Sequence, residues 1–240
     1  QYLLLMDTGT TTQVLAHRGA SRAERENTLE AFETARRMGS DAVELDVRRS
    51  ADGALVVHHD AHLADGRLIC EIDSRDLPAH VPLLADALDA CAGMWVNVEI
   101  KNNESDPDHD PTERVTAAVA AHLSDRGDHS RWLVSSFSRA TVDAMRALHP
   151  AVRTAWLTVG VRPENVERTA RDLASAGHSA LHPWVDLLTL ECVEAFHAQG
   201  LAVNTWTCDD PVRMAELIDW GIDGICTNVP DVCLGVRNRG

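Results

Sequence analysis

Glu44-Leu45-Asp46-Val47 and Val98-Glu99-Ile100-Lys101 alternate charged and apolar residues, the period of a β-strand. Glu44 and Asp46 therefore share one face and Glu99 and Lys101 another, while Val43, Leu45, Val47, Val96, Val98 and Ile100 take the reverse sides. Carboxylates on the inner face of an otherwise apolar strand are costly to desolvate unless something positive meets them. A divalent cation, with Lys101 beside it, answers that cost. The competing reading is a pair of edge strands with one wet face.

Outward from these runs, strand-like and helix-like segments alternate without a linker or low-complexity break. Strands are predicted at Val14–His17, Asp41–Arg48, Met94–Lys101, Trp132–Phe137, Val152–Thr158, Ser179–His182, Leu201–Thr207 and Ile222–Thr227. Helices are predicted between them at Thr28–Met38, Pro82–Cys91, Thr112–Arg126, Arg139–Leu148, Glu164–Ala176, Leu190–Gln199 and Pro211–Trp220. Asn27 is the expected N-cap of the first helix, with Glu30 completing a capping box and Gly39 as its stop. Ala51-Asp52-Gly53 reads as a turn into Ala54–His58, a hairpin arm inserted before the next helix. Setting that arm aside, eight strands alternate with helices over 240 residues. This favours a closed α/β barrel, a TIM (β/α)8 barrel, over an open doubly wound sheet. No G-x-G-x-x-G or G-x-x-x-x-G-K-[ST] loop is present, which argues against nucleotide binding of those kinds.

Twenty-two Lys and Arg against 37 Asp and Glu give a formal charge of −15. Such a chain has no generic attraction for nucleic acid or anionic lipid surfaces. A phosphate-bearing substrate would need a site made locally positive. No stretch approaches the roughly 20 apolar residues of a membrane span, and no stable membrane association is expected. Gln1–Leu5 is too short for a signal-peptide core. Met6 is read as the natural start, with residues 1–5 an added extension; a processed leader is the rival reading. Six cysteines without C-x-x-C or zinc spacing point to a reducing, cytoplasmic setting. The whole chain, 1–240, is expected to form one domain. Nothing in the sequence sets an oligomeric state.

In a parallel barrel the strand C-termini carry the chemistry, and the notable polar residues lie there: His17-Arg18-Gly19, Glu44 and Asp46, Glu99 and Lys101, Ser135-Ser136-Phe137, His182, Asn204 and Trp206. Glu44, Asp46 and Glu99 are all-oxygen ligands, suited to one hard cation such as Mg²⁺ or Ca²⁺, with Mn²⁺ a further candidate. Lys101 and Arg18 would hold an anionic substrate against the carboxylates. His17 and His59 are the acid–base candidates, since imidazole titrates near neutrality. His182 is expected to line the pocket. Asp106, Asp108 and Asp110 read as a solvated acidic loop, because the glycine and terminal Glu of an EF-hand loop are missing. Cys208 and Cys226 lack a neighbouring base and read as inert thiols.

Several of these residues fall in a recognisable order: His17-Arg18-Gly19, Glu26-Asn27-Thr28 with Ala31-Phe32, Glu44-Leu45-Asp46-Val47, Asp52-Gly53 with Val56-Val57 before His59-Asp60, Glu99-Ile100-Lys101, Ser136-Phe137, Thr205-Trp206-Thr207 and Gly221–Ile225 with Thr227 and Pro230-Asp231. From Val14 to about Asp231 the chain resembles the glycerophosphodiester phosphodiesterase family. The resemblance implies a TIM-type barrel with a small insertion after strand two, here about residues 54–80. It also implies metal-dependent hydrolysis of glycerophosphodiesters to sn-glycerol 3-phosphate and an alcohol, with attack by a glycerol hydroxyl and a cyclic phosphate on the way. By position it makes Glu44, Asp46 and Glu99 metal ligands, His17 and His59 the general base and acid, Arg18 and Lys101 phosphate binders, and Trp206 and Phe137 apolar walls. The chain departs from the family pattern at Arg25 (usually Pro), Ser50-Ala51 (commonly Thr-Lys) and Asn228 (commonly Asp). The segment after Asp60 is also short and lacks an Arg-Thr pair. Two alternatives share the barrel: a cyclising lysophospholipase D or sphingomyelinase D, and a barrel that binds glycerophosphodiesters without cleaving them. Scarce aromatics (three Phe, one Tyr) argue against the first, and retention of both histidines against the second.

Overall fold

The computed structural model describes residues 11–239; the expected start at Met6 lies outside them. Eight parallel strands close into a barrel: β1 (Gln13–His17), β2 (Ala42–Arg49), β4 (Trp95–Ile100), β5 (Trp132–Ser136), β6 (Arg153–Thr158), β7 (Ala180–Pro183), β8 (Ala202–Thr205) and β9 (Gly224–Thr227). Each pairs with the next around the ring, and β1 pairs with both β9 and β2 to close it. β3 (Leu55–Val57) stands outside the ring, antiparallel to β2, in the register Val47 opposite Val57. Helices α1 (Leu29–Met38), α2 (Leu84–Ala90), α3 (Arg114–Arg126), α4 (Arg139–Leu148), α5 (Val166–Ser175), α6 (Leu190–His197), α7 (Pro211–Asp219) and α8 (Pro230–Arg237) cover the outside.

Strand alternation decides which residues do what. Val43, Leu45, Val47, Val96, Val98 and Ile100 face outward into a buried layer with Phe32, Leu88 and Leu123 of the helices. The inward residues Leu15, Ala42, Leu133, Ala155, Ala180, Ala202 and Cys226, with Trp95, are buried together in the barrel's interior. Small inward residues are needed here. At Gly224 a Cβ would come within 2.4 Å of Asn204 Oδ1. The β2–α2 insertion has a small core of its own, Val56, Leu63, Ile69, Ile72 and Val81.

Three local expectations are corrected. The N-cap of α1 is Thr28, whose hydroxyl accepts from the Ala31 backbone N–H, and not Asn27. Glu30 then stands one residue too early for a capping box. Asn27 instead adopts φ 56° and turns its amide inward onto Asp46. Pro82 precedes the cap of α2 rather than occupying its first turn. A last helix, α8, follows β9; Pro230 at its first position was the available signal.

Candidate active site

β2 and β4 lie in the register Asp46 opposite Glu99 and Glu44 opposite Asn97. Their inward side chains therefore meet at the C-terminal rim. Glu44, Asp46 and Glu99 are all buried, and one oxygen from each lies within 4.8 Å of the other two. Two cations border them. Lys101 Nζ is 2.6 Å from Glu99 Oε1 and 3.1 Å from Asp46 Oδ1. Arg18 Nε is 3.3 Å from Asp46 Oδ2, and the Arg18 backbone N–H donates to Glu44 Oε2 at 3.0 Å. Arg18 is held in this pose by a left-handed backbone (φ 56°), followed by Gly19, where a Cβ would sit 2.6 Å from the Ala31 backbone.

The carboxylates respond unequally. Burial, then Asp46 and Glu99, push Glu44 well above the usual carboxylate range. Burial also raises Glu99, although Lys101 opposes it. For Asp46 the burial penalty is outweighed by Lys101, Arg18 and His59, which hold it below its ordinary value. Glu44 Oε1 and the neighbouring Asn97 Oδ1 are buried without a hydrogen-bond partner. An all-oxygen set, buried, mutually repelling and with an orphaned acceptor, fits a hard divalent cation. Asn97, two residues before Glu99 on the same face of β4, is a further pocket residue whose only signal in the sequence is that spacing.

His17 and His59 line one cavity of about 120 Å³ with Arg18, Lys101, Phe137, His182 and Trp206. All seven expected residues outside the metal-ligand set are thus brought together. His17 Nδ1 is 2.7 Å from Asn228 Oδ1, and its Nε2 is 3.9 Å from Glu44 Oε2. His59 Nδ1 is 2.7 Å from Asp60 Oδ1. Burial lowers the pKa of both rings, which favours the neutral, proton-accepting form. Phe137 and Trp206 pack edge to face at 5.3 Å, and Trp206 Nε1 donates to the His182 carbonyl at 2.9 Å. His182 is bonded to Asn204 at 2.9 Å and pushed down to about 3 by burial and Arg153. It is a neutral hydrogen-bonding group. Cys226 also lines the cavity, and burial raises its thiol well above the ordinary value, so it is inert as expected.

A wider cleft of about 430 Å³ opens from His59, Lys101 and Phe137 toward Asp60, Ala61, His62 and Asp106. Its wall corrects one expectation. The Asp106–Asp110 loop is not a solvated run: both oxygens of Asp108 accept from Arg48 Nη1 at 2.7 Å, and Asp106 lies 3.4 Å from Nη2. Arg48 Nε also donates to the His59 carbonyl at 2.8 Å. This buried arginine, two residues beyond Asp46 on β2, ties the His59 loop to the segment after β4. Arg48→Leu would leave Asp108 buried without its cation. We expect a loss of about 3–5 kcal/mol of unfolding free energy, read as a lower urea midpoint; an unchanged midpoint would refute the structural role.

Comparison with known proteins bears directly on this site. The model of the glycerophosphoryl diester phosphodiesterase family matches residues 17–67 and 70–232. The chain belongs to that family. A probable glycerophosphodiester phosphodiesterase 2 of Mycobacterium tuberculosis (strain ATCC 25618 / H37Rv) is 32% identical over 243 residues, 91% of this chain and 88% of the relative. A glycerophosphodiester phosphodiesterase of Bacillus subtilis (strain 168) is 26% identical over 91% of this chain and 84% of its own length. Among solved structures, an Oleispira antarctica phosphodiesterase in complex with the product sn-glycerol-3-phosphate superposes with a TM-score of 0.84 at 26% identity, covering 95% of this chain and 97% of that one. As a glycerophosphodiester phosphodiesterase, the chain is a phosphodiester hydrolase on a TIM barrel, as its motifs implied. The non-catalytic alternative is set aside. Among the described residues no helix is long and apolar enough to cross a membrane.

Proposed function

We propose that this site cleaves glycerophosphodiesters to sn-glycerol 3-phosphate and an alcohol, with Glu44, Asp46 and Glu99 holding one Mg²⁺, Ca²⁺ or Mn²⁺ ion. The observation that carries the reading is the meeting of the three carboxylates within 4.8 Å between two cations and two imidazoles. Three carboxylates against Lys101 and Arg18 leave a formal −1, hostile to a phosphodiester. A bound divalent ion reverses this to +1 and supplies charge stabilisation for the phosphoryl oxygens.

The chain's own groups do the rest. Lys101 and Arg18 bind and orient the phosphate. His17 takes the proton of the attacking hydroxyl through Nε2. His59, its ring held by Asp60 at Nδ1, gives a proton to the leaving oxygen. Phe137, Trp206 and His182 wall the narrow cavity and exclude water from the glycerol side, leaving the wider cleft for the departing alcohol. The six cysteines, none paired with another, support the cytoplasmic setting, and we take residues 1–240 as one barrel domain.

The test is release of glycerol 3-phosphate from a panel of glycerophosphodiesters with and without chelator. We expect activity lost in EDTA and restored by Mg²⁺, Ca²⁺ or Mn²⁺. No phosphomonoester under any of the three ions would refute the reading. Faster turnover of a long-chain lysophospholipid than of glycerophosphocholine would favour the cyclising alternative instead.

A further inference from the structure

We propose that Asn228 and Asp209 are a positioning pair that fixes the tautomer of His17, holding its proton on Nδ1 and leaving Nε2 bare toward the carboxylates; this rests on the proposed role of His17 as base. The three residues stand at the ends of adjacent strands, His17 on β1, Asn228 just after β9 and Asp209 after β8.

The proton positions follow from which groups can donate. Asp209 Oδ1 accepts from the Asn228 backbone N–H at 2.8 Å and from Thr227 Oγ1 at 2.9 Å, and its Oδ2 lies 2.7 Å from Asn228 Nδ2. An ionised carboxylate only accepts, so the edge of Asn228 that faces it must be the NH₂. The amide's other edge is then its oxygen. That oxygen accepts from Ser21 Oγ at 2.9 Å and lies 2.7 Å from His17 Nδ1. An amide oxygen has no proton to give, so Nδ1 carries the hydrogen. A neutral imidazole carries only one, which leaves Nε2 with a free lone pair, the atom nearest Glu44. Flipping Asn228 would set oxygen against carboxylate on one side and NH₂ against a donating hydroxyl on the other.

The two imidazoles are thus supported differently. His59 has a carboxylate directly on Nδ1. His17 has an amide there, with the carboxylate one residue further back. A carboxylate placed directly against His17 would add a fourth negative charge beside three buried ones. The amide transmits orientation without delivering that charge.

The first measurement needs no turnover: long-range ¹H–¹⁵N spectra of ¹⁵N-histidine-labelled, Mg²⁺-loaded protein, with His17 assigned by its disappearance in His17→Gln. A protonated Nδ1 and bare Nε2 are expected; the opposite tautomer overturns the proposal, whatever the substrate proves to be. The second is kinetic. Asn228→Ala should lower kcat about 10–100-fold, the usual worth of a supporting hydrogen bond behind a ligand or base, with KM and Mg²⁺ affinity within about threefold. The exchange Asn228→Asp with Asp209→Asn keeps every donor facing an acceptor and should recover part of that loss, the remainder being the cost of the charge now set against His17. Full kcat in Asn228→Ala, or no recovery in the exchanged pair when its fold and metal affinity are intact, overturns the proposal. A protein inactive on all glycerophosphodiesters but showing the expected tautomer would instead sink the proposed function alone.

Discussion

Glu44→Gln is expected to abolish hydrolysis while making the metal-free protein more stable. Glu44 is the carboxylate that the apo site serves worst: one oxygen has no partner, and burial with Asp46 and Glu99 raises its pKa. A carboxyl whose folded pKa is raised contributes stability below its unfolded value, near 4.5, and loses it as pH rises through the folded value. At pH 8 the ionised group is a liability. Glutamine keeps the acceptor for the Arg18 backbone N–H and removes the charge. The apo variant should therefore melt a few degrees higher, on the order of 1 kcal/mol, and the difference should shrink as pH falls toward 4.5. Activity should fall roughly 10³–10⁵-fold, since a metal's charge stabilisation amounts to several kcal/mol. Calorimetric titration with Mg²⁺ and thermal melts with and without EDTA separate the two effects. A variant with normal Mg²⁺-dependent turnover would end the three-carboxylate assignment. An apo variant less stable than the parent would show that Glu44 is better compensated than its surroundings indicate.

His17→Ala and His59→Ala should each reduce turnover about 10²–10⁴-fold, the usual contribution of positioned acid–base groups, with Mg²⁺ affinity nearly unchanged. The separation is the diagnostic part. His17 Nε2 lies 3.9 Å from Glu44, too far for a hydrogen bond, and the His59 ring bonds to Asp60 rather than to the cluster. Neither is required to assemble the carboxylates. The two losses should not add in the double variant if the residues act on one transition state as a base–acid pair. Full activity in either single variant would remove that residue from the chemistry, and a matching loss of Mg²⁺ affinity would recast it as a metal ligand.

Much of this was legible because barrel strands translate sequence period directly into direction. Glu44, Asp46 and Glu99 could be put on one inner face from alternation alone, and the eight strands followed from their spacing. What escaped were amides and an arginine whose roles depend on long-range partners. Asn97 reads as one polar residue in an apolar strand. Asn27 reads as a helix cap, because its local sequence suits one, yet the pull of Asp46, 19 residues away, sets its backbone and hands the cap to Thr28. Arg48 and Asp108 are 60 residues apart, and nothing in either segment announces the other. Asn228 reads as a departure from the family pattern at one position. Its sense appears only with Asp209 beside it, which no local pattern reveals.

The arm between β2 and α2 keeps its own apolar cluster while it lends His59, Asp60, Ala61 and His62 to the outer cleft. A segment that folds around its own nucleus can be lengthened, shortened or redecorated with little cost to the rest of the molecule. Its first turn, pinned by Arg48, is the part that must stay put. The groups that face the outer cleft thus ride on a unit with its own packing, joined to the carboxylate cluster through the β2–β3 pairing and through Arg48.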